Sequence, residues 1–184
     1  MLCESKALKL VELFIACDDF CNALTQWQTQ QGILPTGRAG QLTDSEMMTI
    51  LVFYHHSGYK CFQYYYQSCV ESQLGSYFPQ LITYERFVAR MPRLLPGLFL
   101  LLKWLCANSE RTGFYIIDSK PLAVCHNKRI HSHRVLAQIS RRGHCSMGWF
   151  YGLKIHLVIN QYGQLINFML TPGNVADNNG AVLT

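Results

Sequence analysis

The chain has 184 residues, of which 49% are hydrophobic and 15% charged. That excludes disorder and provides enough apolar side chain for one ordinary domain or two small ones. Residues 1–117 hold nine Lys/Arg and nine Asp/Glu. Residues 118–184 hold seven Lys/Arg against only Asp118 and Asp177, so the whole net charge of +5 lies in the last third. No acid occurs between Ser119 and Ala176. Such a block suits a polyanionic partner or a solvated basic loop. The eight cysteines show no Cys-x-x-Cys spacing, and no basic-then-apolar leader pattern opens the chain. Both features predict unpaired thiols in a reducing cytoplasm. The most apolar stretch, Leu94 to Cys106, is broken by Pro96 and Lys103 and is too short to span a bilayer. It reads as a buried helix, so no membrane partner is expected.

The first 110 residues read as helical. Leu10, Leu13, Phe14, Cys17, Cys21 and Leu24 recur at three- and four-residue spacing, which predicts a helix over Ala7–Leu24. The run from Gly32 to Gly40 is a Gly/Pro loop. Thr43-Asp-Ser-Glu46 has the form of a capping box, with Met47, Ile50, Leu51 and Tyr54 on one face of the helix that follows. Further helices are expected around Cys61–Leu74, Thr83–Met91 and Pro96–Asn108. The aromatic cluster Phe62, Tyr64, Tyr65 and Tyr66 fits interhelix packing better than a base-stacking platform.

The pattern changes at Thr112. Phe114-Tyr-Ile-Ile117 is a short β-favouring run. From Tyr151 to Asn160 apolar and polar residues alternate, with Tyr151, Leu153, Ile155, Leu157 and Ile159 on one side and Lys154, His156 and Asn160 on the other. Gln161-Tyr-Gly163 supplies a turn and Leu165–Leu170 the return strand. Thr171 to Gly180 reads as a turn leading into a helix start. The layout is α+β, with a helical region over residues 1–110 and a β-rich region over residues 111–184.

Asp118 follows the first apolar strand, where a carboxylate could serve as a hard-cation ligand or as a turn cap held by local amides. Beyond it, Lys120, Lys128, Arg129, Arg134, Arg141 and Arg142 form a basic footprint for a phosphate backbone. Lys154 and His156, on the polar side of the long strand, could contact DNA or simply face solvent. Cys125, His126, His131, His133, His144 and Cys145 invite a zinc reading, but their spacing matches no usual pair of tetrahedral ligand knuckles. A Cys–His nucleophile pair would need a third, orienting group that the sequence does not show.

Several segments together resemble the DDE transposases of bacterial insertion sequences, specifically the insertion-sequence family numbered nine-eighty-two. They are Leu42–Glu46 with Ile50–His55 and Ser57–Lys60, Phe78–Phe87, Ile117–Leu122, Val124–Ile130, Gly148–His156 and Thr171–Val175. The resemblance implies a ribonuclease-H-like catalytic domain. There, carboxylates hold a pair of Mg²⁺ (or Mn²⁺) ions for in-line phosphoryl displacement on DNA, and Asp118 corresponds to the first of them. It implies three antiparallel strands, a helix, a strand with a second acid, and a later Glu. This chain has no positions for those last two acids, so an incomplete domain is expected: a transposase fragment unable to cut DNA alone. The alternative is a non-catalytic DNA-binding protein or inhibitor derived from a transposase. The expected partner is DNA at the ends of an element, with self-association or an intact transposase in addition. A helix-turn-helix within residues 1–110 stays open, since no recognition helix stands out.

Overall fold

Helix α1 (Glu4–Gln30) buries Leu10, Cys17 and Phe20 on one stripe. The computed structural model describes residues 4–33, 41–134 and 136–176. Cys3, most of the Gly/Pro loop, Val135 and the expected helix start, with Asp177, lie outside the described residues. Helix α2 (Asp44–Ser57) starts at the expected capping box. The Thr43 N–H donates to Glu46 Oε2 at 2.7 Å, and the Glu46 N–H donates to Thr43 Oγ1 at 3.2 Å. These bonds satisfy amides that the first turn cannot pair internally. Thr43→Ala should therefore lower stability by about 1 kcal/mol, read as a shifted denaturant midpoint with an unchanged slope.

A short helix, α3 (Phe62–Tyr65), runs through a π-helical turn (Tyr66–Val70) into α4 (Glu71–Gln73). The aromatic cluster here is mostly core. Tyr65 and Tyr66 are fully buried, and their hydroxyls donate to Ile50 O at 3.0 Å and Ile82 O at 2.6 Å. Tyr66 lies 4.9 Å from Phe87, ring centre to ring centre. Each large ring thus removes apolar area from water while its polar tip keeps a partner. Tyr64 differs, standing exposed.

Two expected helices, Thr83–Met91 and Pro96–Asn108, are one helix, α5 (Tyr84–Asn108), with Pro92 and Pro96 inside it. The prolines are four apart, so the donor that Pro96 lacks would have served the carbonyl of Pro92 itself. The two defects are thereby confined to adjacent turns of one helix. The apolar stretch from Leu94 to Cys106, expected to be a buried helix, is only partly buried. Leu94, Leu101 and Cys106 are buried, while Leu95, Phe99, Leu100 and Leu105 are exposed. No helix among the described residues is long and apolar enough to cross a membrane. The chain divides into two compact units, Met1–Leu102 and Lys103–Thr184.

The second unit is built on a four-stranded antiparallel sheet, where three strands are expected. Its strands are β1 (Tyr115–Cys125), β2 (Arg141–Cys145), β3 (Gly148–Asn160) and β4 (Leu165–Pro172). Strand β3 pairs with β1 along one edge; its other edge takes β2 over residues 148–152 and β4 over residues 153–159. The extra strand is β2, carved from the basic loop. It joins β3 through the two-residue turn Ser146-Met147, closed by Gly148 at φ 106°. A 3-10 helix (Asn127–Ser132) bridges the end of β1 towards β2. At the β3–β4 turn, Gly163 takes φ 77°, and buried Asn160 ties the turn down. Its Oδ1 accepts from Tyr162 N–H and Gln164 N–H, while its Nδ2 donates to Glu110 O and Gln164 Oε1. The helical N-terminal part and antiparallel sheet make the protein α+β, consistent with part of a ribonuclease-H-like domain.

Candidate nucleic-acid interface

Alternation along β3 and pairing across the strands divide the sheet's side chains between two faces. On one face β3 presents Trp149, Tyr151, Leu153, Ile155 and Leu157. Opposite these, β1 contributes Leu122, Lys120 and Asp118, and β2 contributes His144 and Arg142. On the other face β3 presents Phe150, Gly152, Lys154 and His156, opposed by Gly143, Ala123, Pro121, Ser119, Thr171 and Met169.

The second face is covered although it carries the polar residues, which reverses the expected orientation. Lys154 is 5% exposed and His156 1%. Lys154 Nζ donates to Val175 O at 3.0 Å, and His156 Nε2 lies 2.9 Å from Thr171 Oγ1. Around Lys154 the cover includes the chain after β4. Gly173 N–H donates to Gly152 O at 3.0 Å, folding residues 173–175 over this face. A lysine buried beside a carbonyl keeps a hydrogen bond, so the register tolerates it. In this conformation neither side chain is a solvent-facing phosphate contact; both belong to the packing beneath the sheet.

Asp118 is exposed and lies within β1, fourth of its eleven residues, instead of at a strand end. Its Oδ1 accepts from the Ser119 N–H at 2.8 Å. Lys120 is two residues along on the same face. Among the described residues β1 pairs only with β3, so Asp118 stands on an edge strand. The same strand exposes Ile116 and Ile117, and Phe114 just before it. No group of three or more His, Cys, Asp or Glu among the described residues could hold a metal ion. A single exposed carboxylate does not fit a Mg²⁺ pair, because Mg²⁺ retains its waters and needs convergent negative charge.

The remaining basic residues are exposed. Lys120 and Arg142 share the Asp118 face. Lys128 and Arg129 ride on the 3-10 helix, which is fastened to β3 by Asn127 Nδ2 donating to Trp149 O at 2.7 Å. Arg134 precedes β2. Arg141 is turned back on the segment before its strand, its Nη1 donating to Gln138 O and Ser140 O. Three of the cysteine and histidine side chains of this region make local contacts. His126 caps the 3-10 helix, and Cys145 Sγ donates to Gly148 O at 3.5 Å. His144 lies edge-on to Trp149, with ring centres 5.2 Å apart. Trp149 is a residue of this face that sequence reasoning did not assign, and His144 was weighed there for zinc and not for this pairing. The signal for Trp149 was an aromatic run, Trp149-Phe-Tyr151, after a turn glycine inside an acid-free stretch.

In the helical unit burial raises the pKa of Cys17 and pushes that of half-buried Cys21 up to about 11, which favours the protonated thiol.

Residues 108–183 match the family described as the transposase DDE domain. The matched stretch takes in all four strands, Asp118 and the basic residues from Lys120 to Lys154. No curated protein and no solved structure matches the chain.

Proposed function

We propose that the chain is a DNA-binding portion of an insertion-sequence transposase of the type numbered nine-eighty-two, catalytically incomplete as it stands. The carrying observation is the transposase DDE domain match at residues 108–183, centred on a sheet whose open face joins Asp118 to Lys120 and Arg142. In this reading Asp118 is the first catalytic carboxylate, and its metal-sharing partners come from a strand and helix that would lie against β1. The exposed Ile116, Ile117 and Phe114 support that, since an edge strand with apolar neighbours invites a covering element. The intact active site would use Mg²⁺ or Mn²⁺ to activate the attacking oxygen and stabilise the leaving one. Residues 1–110 form the helical region and residues 111–184 the start of the catalytic domain. The working compartment is the cytoplasm, and the DNA is that of the element's ends.

A second reading, a non-catalytic DNA-binding protein that occupies those ends and blocks intact enzyme, is favoured by the lone, exposed state of Asp118. A duplex-nicking assay with Mg²⁺ or Mn²⁺, run beside Asp118→Ala, tests both. The expected result is DNA binding with no cleavage above that of the variant. Strong cation-dependent nicking that Asp118→Ala abolishes would overturn catalytic incompleteness; failure to bind DNA at all would overturn both readings.

A further inference from the structure

We infer that the tip of the β2–β3 hairpin is a stacking site for an unpaired DNA base, with Trp149 as the platform. Trp149 is 64% exposed, an unusual state for the largest apolar side chain on a strand that buries its alternate residues. Its surroundings are those of a nucleic-acid site. His144 is its cross-strand partner and meets it edge-on at 5.2 Å, and Arg142 follows on the same face. The bond from Asn127 to the Trp149 carbonyl holds Lys128 and Arg129 of the 3-10 helix beside the same strand position. No acid lies anywhere between residues 119 and 176 to repel a phosphate.

An exposed indole flanked by cations is the combination that holds single-stranded nucleic acid. Any base has a face to stack, while the cations follow the backbone. Duplex DNA keeps its bases paired and stacked, so Trp149 gains a partner only where a strand is frayed, overhanging or flipped. The basic residues, by contrast, meet phosphates of either form. An apolar protein partner is the competing occupant, since Met147 is also exposed at the tip. It is disfavoured because every charged side chain on β2, β3 and the 3-10 helix is cationic.

This inference rests on the DNA-binding reading above, and the test separates the two. The full chain and Trp149→Ala are titrated with a blunt duplex and with the same duplex carrying a short single-stranded 3′ overhang. Circular dichroism checks that the fold is kept, which the exposure of Trp149 favours. The expected result is a loss of about tenfold or more in affinity for the overhang, with blunt-duplex affinity unchanged. Trp149→Phe should recover part of the loss, because a smaller ring still stacks. Equal effects on both probes, or no effect on either, would overturn the stacking site while leaving DNA binding intact. So would self-association abolished by Trp149→Ala without change in DNA affinity. Absence of binding to both probes by the unaltered chain would overturn the DNA reading itself.

Discussion

Replacing Gly152 with alanine should unfold the sheet unit at ordinary temperature or leave it marginal. Gly152 is in the middle of β3, with Ala123 of β1 on one side and Arg141 of β2 on the other. A Cβ there would lie 2.0 Å from Leu122 O and 3.0 Å from Val124 N. These are backbone atoms held by the ladder, at the place where the β1 register slips between Ala123 and Cys125, so no flexible side chain can yield. Nearby, a Cβ on Gly143 would meet Gly173 O at 2.0 Å. Four chain segments, β1, β2, β3 and the chain at Gly173, therefore meet here with no room for a side chain. Forcing one in should cost about 3 kcal/mol or more, a large part of the roughly 5–15 kcal/mol that holds a domain together. Gly163→Ala provides the contrast. Its φ of 77° disfavours alanine, but nothing lies within 4 Å, so the cost should stay near 1 kcal/mol. Thermal melts followed by circular dichroism would compare the two. A milder effect at Gly152 than at Gly163 would contradict the close crossing.

How far the sequence foretold this arrangement depends on whether local chemistry or distant pairing decided each element. Thr43 and Glu46 cap α2 as expected because both partners of the box lie within one turn. The turn at Gly163 and the alternating strand to Asn160 are equally local. Strand β1 was legible only as far as Ile117, since Asp118-Ser-Lys-Pro121 has the composition of a turn. Its continuation to Cys125 comes from the ladder offered by β3, and pairing of this kind overrides propensity. Pro121 is tolerated because β1 has one strand neighbour among the described residues, so one side needs no donor. Strand β2 was hidden for a related reason. Arg141-Arg-Gly-His-Cys145 carries almost no apolar signal, and it is a strand because it pairs with residues 148–152 of β3. The orientation of Lys154 and His156 could not be read from alternation. It depends on which face residues 173–175 cover, and that is a tertiary choice. Asp118 was identifiable as a candidate from its place after the apolar run Phe114–Ile117, to which the resemblance added the role of first carboxylate, whereas its exposure and local hydrogen bond emerge only from the folded sheet.

The same division between the two faces predicts which basic residues govern DNA affinity. Lys120 and Arg142 are exposed on the open face and Lys128 and Arg129 on the 3-10 helix, whereas Lys154 is buried against Val175 O. If the four exposed cations each neutralise one phosphate, binding releases their condensed counterions, and raising monovalent salt about fourfold should weaken it about a hundredfold. Changing all four to alanine should flatten the plot of log affinity against log salt by about 3.6 units of slope. Lys154→Met should leave that slope unchanged, because a cation folded under the sheet displaces no counterions from DNA. Fluorescence anisotropy of a labelled duplex over a salt series measures both slopes on the same axes. The outcome decides more than affinity. If Lys154→Met flattened the slope as much as one of the exposed cations, the covered face would have to open when DNA binds. Residues 173–175 would then act as a displaceable cover and not as fixed packing, and the buried pair Lys154 and His156 would return as contacts in a second conformation.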